Sequence, residues 1–567
     1  MNGTVAVRGM ALANAHLIFE QDKAQGPWHV EQVDLELERL QTAVETCTSD
    51  LAALIERLQR ETDAEHAEIL DFQILLLEDD NYIGRIKRTV QAEAVNCEYA
   101  VSKCSEAYRA ELSALDNPYL NERTADITDI EQRLLRVLSH KADSCSLSGP
   151  QIVAAVDLTP SQVVELGRNE LKGIVLEKGG LSSHCVILAR SMNIPCIIGM
   201  DGILGQLQEG QLVLLDAEHG EVIPSPGEDR VREYEKYQVA AREERESLER
   251  YRVAKTATAD GRPMKVYANI TSELEVKALL DQGGEGVGLL RTEMLYMERT
   301  APPDEAFQYD TYAKIVKGLG GRPLIVRTLD VGGDKHIPYL NIPEEENPFL
   351  GYRAIRYCLD HPDVFRVQIA AILRAAQYGP VQLMLPMIAT VAEVEQARGE
   401  IEAVKADLES RNIGAGEVTL GMMVETPAAA VMADQFARSV DFFSIGTNDL
   451  TQYLFAADRN NAKVASLNSY FQPALLRMID HVCRSAHQSG IEVDICGQAG
   501  EVDELIPLWV GMGVDNLSVS IPSIARVRRT ISRCDSMGCR ALVKQALQFH
   551  TDDEVKKLMR EEVAKWS

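Results

Sequence analysis

The chain has 567 residues, 46% hydrophobic and 25% charged, with a formal net charge of −28. That length asks for several domains, and no apolar run reaches about 18 residues, which argues against a membrane span. The acidity argues against nucleic acid, because phosphate binding needs clustered Lys and Arg. The start, MNGTVAVRGM, has neither the basic nor the apolar part of a signal peptide. The 11 cysteines form no CxxC pair, so neither a disulfide framework nor a zinc site is expected, and a reducing cytoplasm is the expected home.

Residues 1–20 read as a short strand pair. Over 21–144 Leu, Ile and Ala recur at helical spacing among charges, as in VDLELERLQTAVETCTSDLAALIERL. This predicts a bundle of about four helices whose acidic surface is either a solvated face or a docking surface for a basic protein partner. IVAAVDL, GIVLE, CIIGM and LVLLD are short β-rich runs between Gly and polar turns. They predict a small α/β domain over 145–225, joined by strands from 1–20, with the bundle as an insertion. The charge-dense stretch 226–255 predicts a linker helix. Over 256–567, MKVYANI, GVGLL, PLIVRTL, VQLMLPM, VTLGMMVE, DFFSIG, EVDIC and NLSVS alternate with amphipathic segments. Eight such repeats predict a (β/α)₈ TIM barrel, whose chemistry sits at the C-terminal strand ends.

Those strand ends carry a pattern. Arg291 follows the second strand, Arg327 ends the third and Asp330 comes shortly after, Glu425 ends the fifth, and Asn448 and Asp449 end the sixth, with Arg459 a little further on. Cys496 ends the seventh, and Arg353 and Arg356 lie in NPFLGYRAIR. Several guanidiniums on one face suit a ligand with phosphate and carboxylate groups. Two carboxylates from neighbouring strands suit magnesium, which fills its other positions with ligand oxygens and water. A lone thiol there suits a proton donor. Each residue alone is more often a surface or packing residue; together on one face they are harder to explain as structure.

In GGLSSHCVILAR, His184 follows a Gly-Gly loop and two serines at a predicted helix start. A helix N-terminus disfavours positive charge and so favours a neutral, nucleophilic imidazole. Free N–H groups there, with the Ser183 hydroxyl beside them, suit an added phosphoryl group. A lone histidine at such a junction is more often a capping or packed residue.

Taken together, the motifs resemble Enzyme I of the phosphoenolpyruvate:sugar phosphotransferase system, over essentially the whole chain and in the same order. GGLSSHCVILAR resembles that family's phosphohistidine signature, and GLLRTEMLYM, RTLDVGGDK, NPFLGYRAIR, MVETPAAA and DFFSIGTNDLTQY resemble its barrel motifs. The resemblance implies a multidomain α/β protein: a swivelling phosphohistidine domain with an inserted carrier-binding bundle, a linker helix, and a phosphoenolpyruvate-binding TIM barrel that dimerises. It implies phosphorylation of His184 by phosphoenolpyruvate, transfer to the phosphocarrier HPr, and release of pyruvate. Arg291, Arg327, Asn448 and Arg459 would hold phosphoenolpyruvate, and Glu425 and Asp449 would bind Mg²⁺. Cys496 would protonate the enolate of pyruvate, with Thr159, Ser183, Arg353 and Lys335 in support.

Three positions depart from the family pattern. Ser182 stands where threonine is usual and keeps the hydroxyl. In GQAGEVDE, Gln498 replaces a carboxylate and Glu501 falls where glycine is expected, pointing to a specialised paralogue. A dikinase or phosphoenolpyruvate synthase would carry a large ATP-binding domain before the histidine domain, where only about 20 strand-like residues and the bundle stand. A non-catalytic phosphoenolpyruvate sensor would not need the reacting residues that are present.

Overall fold

The structure is a computed structural model that describes residues 3–19, 26–61, 67–113, 118–139, 149–167, 170–180, 183–192, 194–297, 299, 301–332, 337–343, 345–459, 461 and 463–565. It divides into two compact units, Met1–Glu243 and Glu244–Ser567.

In the first unit a seven-stranded sheet is built from β1 (Thr4–Val7), β2 (Met10–Ile18), β3 (Gln151–Ala155), β4 (Leu171–Leu176), β5 (Cys196–Ile198), β6 (Leu212–Asp216) and β7 (Glu221–Pro224), in the order β1-β5-β4-β3-β2-β6-β7. Residues 1–20 do form two strands, but, contrary to the sequence expectation, these do not pair with each other. β1 joins β5 antiparallel, while β2 lies between β3, parallel, and β6, antiparallel. Among the described residues five helices stand between β2 and β3, one more than expected: α1 (Val33–Glu61), α2 (Ala67–Glu78), α3 (Ile83–Glu93), α4 (Cys97–Ser113) and α5 (Pro118–Leu138). The acidic turn around Asp79 and Asp80 separates α2 from α3, which hydropathy alone would merge.

Alternation along β3 explains how sheet and bundle share a core. Val153 and Ala155 join the bundle residues Leu40, Ile86 and Leu134, whereas Ile152 and Ala154 pack on the opposite face against Val213 and Leu215. Both faces are covered, so the strand reads as an unbroken apolar run. The α6 helix (Pro160–Leu166) is tied to α5 by polar contacts. Arg133 and Arg136 pair with Glu165, and Asp129 accepts a 2.6 Å hydrogen bond from the Ser161 hydroxyl.

The helices α7 (His184–Ser191) and α8 (Glu228–Val253) complete the series to the boundary, which falls inside α8. The last ten residues of α8, Glu244–Val253, belong to the second unit. There the buried Arg528 guanidinium donates to the carbonyls of Tyr251, Arg252 and Gly283.

The second unit is a closed barrel of eight parallel strands: β8 (Lys265–Ile270), β9 (Val287–Leu290), β10 (Leu324–Arg327), β11 (Val381–Leu385), β12 (Val418–Val424), β13 (Phe442–Ile445), β14 (Glu492–Ile495) and β15 (Asn516–Val519). These are the eight predicted segments. Outward residues such as Val326, Val424 and Ile495 pack under the helices, while Leu289, Ile325, Met384, Met423, Phe442 and Cys496 form a separate interior cluster. Among the described residues no helix is long and apolar enough to cross a membrane.

Below Cys496, Asp494 is 3% exposed and accepts a 2.5 Å hydrogen bond from Asn516. Burial pushes its pKa up to about 8, reinforced by Glu492 and Asp515 and opposed by Asn516 and Lys265. The folded chain therefore holds a proton that an unfolded aspartate releases near pH 4, so stability falls as pH rises from about 4 to 8. Asp494→Asn should remove that slope, leaving stability near pH 4 little changed and raising it by about 5 kcal/mol at pH 8. Denaturant melts at both pH values check this; a stability difference independent of pH would refute it.

Candidate active site

The histidine motif folds as its residue types dictate. Ser183 is extended at the N-cap of α7, and its hydroxyl accepts from the Val186 N–H at 3.4 Å. His184 is the first residue of the helix, but its side chain lies outside the described residues, as do Ser182 and Lys335. Thr159 caps α6 in a reciprocal arrangement. Its hydroxyl accepts from the Gln162 N–H at 3.3 Å, and the Gln162 side chain accepts from the Thr159 N–H at 2.9 Å.

At the barrel mouth the predicted residues converge on a buried ion network. Arg327, 7% exposed, reaches Glu293 at 2.7 Å and Asp330 at 2.9 Å. Arg353 reaches Asp330 at 2.8 Å and Asp449 at 3.7 Å, and donates to the Tyr453 hydroxyl at 3.2 Å. Burial alone would lower the pKa of both arginines, but Glu293, Asp330 and Glu425 outweigh it for Arg327, and Asp330 and Asp449 for Arg353, so both stay cationic. The Nε of Arg327 is buried with no acceptor among the described residues.

Glu425, 1% exposed, accepts the Met387 N–H at 2.6 Å. Met387 supplies that donor from a left-handed backbone, φ 57°, an uncommon state for a side-chain-bearing residue. Burial, with Asp449 and Asp330 nearby, raises the Glu425 carboxyl well above its usual range against the pull of Arg327 and Arg353. Asp449 pairs with Arg459 at 2.9 Å. Glycine at 446 is required by close approach, since a Cβ there would lie 2.9 Å from a Glu425 oxygen.

Asn448 accepts from the Tyr470 hydroxyl at 2.8 Å and from the Gln498 N–H at 3.1 Å. The Cys496 thiol is 4% exposed, and burial pushes its pKa up to about 11. Arg291 stands exposed just beyond β9. Arg356 instead donates to the loop carbonyls of Leu350 and Gly351, which explains it as a loop fastener.

The departures also have places. Gln498 opens a single 3₁₀ turn, Gln498–Glu501. Glu501 accepts from the Ser520 hydroxyl at 2.6 Å and from its N–H at 3.1 Å. It is not among the positive-φ residues, so glycine's freedom is not needed there. Sequence reasoning gave no role to Glu293, Tyr453 and Tyr470; the one signal was the carboxylate two residues after Arg291 at a strand end.

Glu425 and Asp449 remain a pair, because among the described residues no group of three or more His, Cys, Asp or Glu is placed to hold a metal. Two hard carboxylates at the ends of adjacent strands, one crowded by negative charge, still fit magnesium, which needs no more from the protein.

Comparisons with known proteins identify the family. Models of PEP-utilising enzymes match in three parts: the N-terminal part over 2–123, the mobile domain over 147–220 and the PEP-binding domain over 245–536. A phosphoenolpyruvate-protein phosphotransferase of Priestia megaterium is 40% identical over 566 residues, covering 99% of this chain and 97% of the relative. Those of Latilactobacillus sakei, 38% identical over 577 residues (100% of this chain, 99% of the relative), and Bacillus subtilis, 37% over 564 (99% of each), are similar along their whole length. The chain therefore belongs to the PEP-utilising enzymes and, among them, to the phosphoenolpyruvate-protein phosphotransferases.

Proposed function

We propose that the chain moves the phosphoryl group of phosphoenolpyruvate onto His184 and then onto a histidine of an HPr-type phosphocarrier. Pyruvate is released, as in the first step of the sugar phosphotransferase system. The observation that carries this reading is the convergence of Arg327, Arg353, Glu425, Asn448, Asp449 and Cys496 at the C-terminal ends of the barrel strands.

Arg327, Arg459 and the exposed Arg291 grip the phosphate and carboxylate oxygens, with Arg353 keeping Asp330 and Asp449 in place. Glu425 and Asp449 would hold Mg²⁺, which supplies positive charge against the phosphoryl oxygens when bound. Such charge is the protein's main contribution to phosphoryl transfer. As the bond between phosphorus and the enol oxygen breaks, a His184 ring nitrogen bonds to phosphorus. The electron pair left on the enolate then takes a proton at carbon from Cys496. A thiol with its pKa pushed up to about 11 keeps its proton at neutral pH, as a donor must. His184 and the donor-binding residues belong to different units, so α8, which joins them, is a hinge candidate. The acidic composition of α1–α5 suits the carrier, and the barrel is the unit through which the chain forms a homodimer.

Incubation with labelled phosphoenolpyruvate and Mg²⁺ should leave acid-labile label on the protein, which HPr then removes. Label arriving from ATP would instead mean dikinase chemistry, and label from neither donor a binder. Cys496→Ala should cut pyruvate formation roughly 10²-fold while sparing much of the phosphoryl transfer in a single turnover. Equal loss of both would take Cys496 out of the proton-donor role.

A further inference from the structure

The carboxamide of Asn448 is held from two sides. Its Oδ1 accepts the backbone N–H of Gln498 at 3.1 Å and the hydroxyl of Tyr470 at 2.8 Å. A backbone N–H can only donate, so the amide has one orientation: oxygen toward residue 498, Nδ2 turned away. Among the described residues the two Nδ2 hydrogens meet no acceptor, and Asn448 stands in the first turn of the helix Thr447–Phe455, next to Asp449.

Tyr470 has one hydrogen to give. Burial, with Asp449 and Glu501 near it and Arg459 opposing, pushes its pKa up to about 12, so it remains a donor. Its oxygen also lies 3.2 Å from the Gln498 Oε1, a second acceptor for the same hydrogen. The shorter contact, to Asn448, holds that hydrogen, because a neutral amide oxygen is a weaker competitor than a charged one. Asn448 thus accepts from both Tyr470 and the Gln498 backbone.

We infer that Tyr470 and Gln498 are positioning residues that lock the Asn448 carboxamide with its NH₂ presented to an oxyanion of the enol phosphate substrate. The inference rests on the reading that Asn448 holds phosphoenolpyruvate. It also explains why an amide serves at 498. A carboxylate there, a stronger acceptor than an amide oxygen, would take the single Tyr470 hydrogen and leave Asn448 held from one side only.

The test is steady-state kinetics on the full chain with phosphoenolpyruvate and Mg²⁺. Tyr470→Phe and Gln498→Glu should each raise KM for phosphoenolpyruvate about 3- to 10-fold, the worth of one neutral hydrogen bond, with kcat within about 2-fold. Because both changes withdraw the same hydrogen from Asn448, the double variant should be no worse than the poorer single one. Gln498→Asn, which keeps an amide, should recover part of the loss. KM unchanged in Tyr470→Phe, a fall in kcat at constant KM, or additive losses in the double variant would each overturn the inference. Asn448→Ala separates the two layers. If it leaves KM unchanged, the reading of Asn448 falls and the inference with it. If it raises KM while Tyr470→Phe does not, only the positioning role is lost.

Discussion

Replacing His184 with alanine should abolish the acid-labile label that phosphoenolpyruvate leaves on the protein, a loss of at least about 10⁴-fold, since no other group can take over the bond to phosphorus. The expectation starts from the backbone. His184 is the first residue of α7, whose first-turn N–H groups lack intrahelical acceptors, and among the described residues the Ser183 hydroxyl accepts that of Val186 alone. Spare donors at the positive end of a helix favour a phosphoryl group bound there. Binding of phosphoenolpyruvate should survive the change, because the barrel is a separate compact unit. Ser183→Ala should be milder, costing about 1 kcal/mol in local helix stability and slowing label uptake without preventing it. Label persisting on His184→Ala at the wild-type rate would place the acceptor elsewhere.

Why so much of this was legible in the sequence is a matter of burial. A parallel strand covered on both faces must be apolar throughout, so VQLML or LIVR announces itself between polar helices, and eight such runs close a barrel. The residue just past each run stands at the mouth by geometry, which is how Arg327, Glu425, Asp449 and Cys496 were found together. Pairing was less visible. Nothing in TVAV or MALANAHLI says that β1 goes to β5 while β2 takes β3 and β6, because those partners are chosen by tertiary packing. The bundle reads as about four helices where five are described, since a helix break made by two aspartates differs little in pattern from a solvated face. Partners within the site were hidden for the same reason. Glu293 and Tyr470 lie far in sequence from Arg327 and Asn448, and only the closed barrel brings them within hydrogen-bond reach.

Arg327→Met should be the most damaging change at the barrel mouth, and for two separable reasons. The guanidinium stands between Glu293 at 2.7 Å and Asp330 at 2.9 Å, with Glu425 close enough to stabilise its charge. All three carboxylates are at most 3% exposed. Removing the cation leaves buried negative charge short of a partner, which costs about 3–5 kcal/mol, measurable as a lower urea midpoint. It also removes the Nε donor that no described residue accepts, together with the positive charge intended for the phosphoryl group. Turnover of phosphoenolpyruvate should therefore fall by about 10³-fold or more, in the range set by lost transition-state donors and guanidiniums. Adding Glu293→Gln to Arg327→Met separates the effects, because it takes away one uncompensated charge without restoring a cation. The double variant should regain about 1–2 kcal/mol of stability and none of the activity. If turnover returns with stability, Arg327 is a structural pillar only, and the phosphoryl group is held by Arg291 and Arg459.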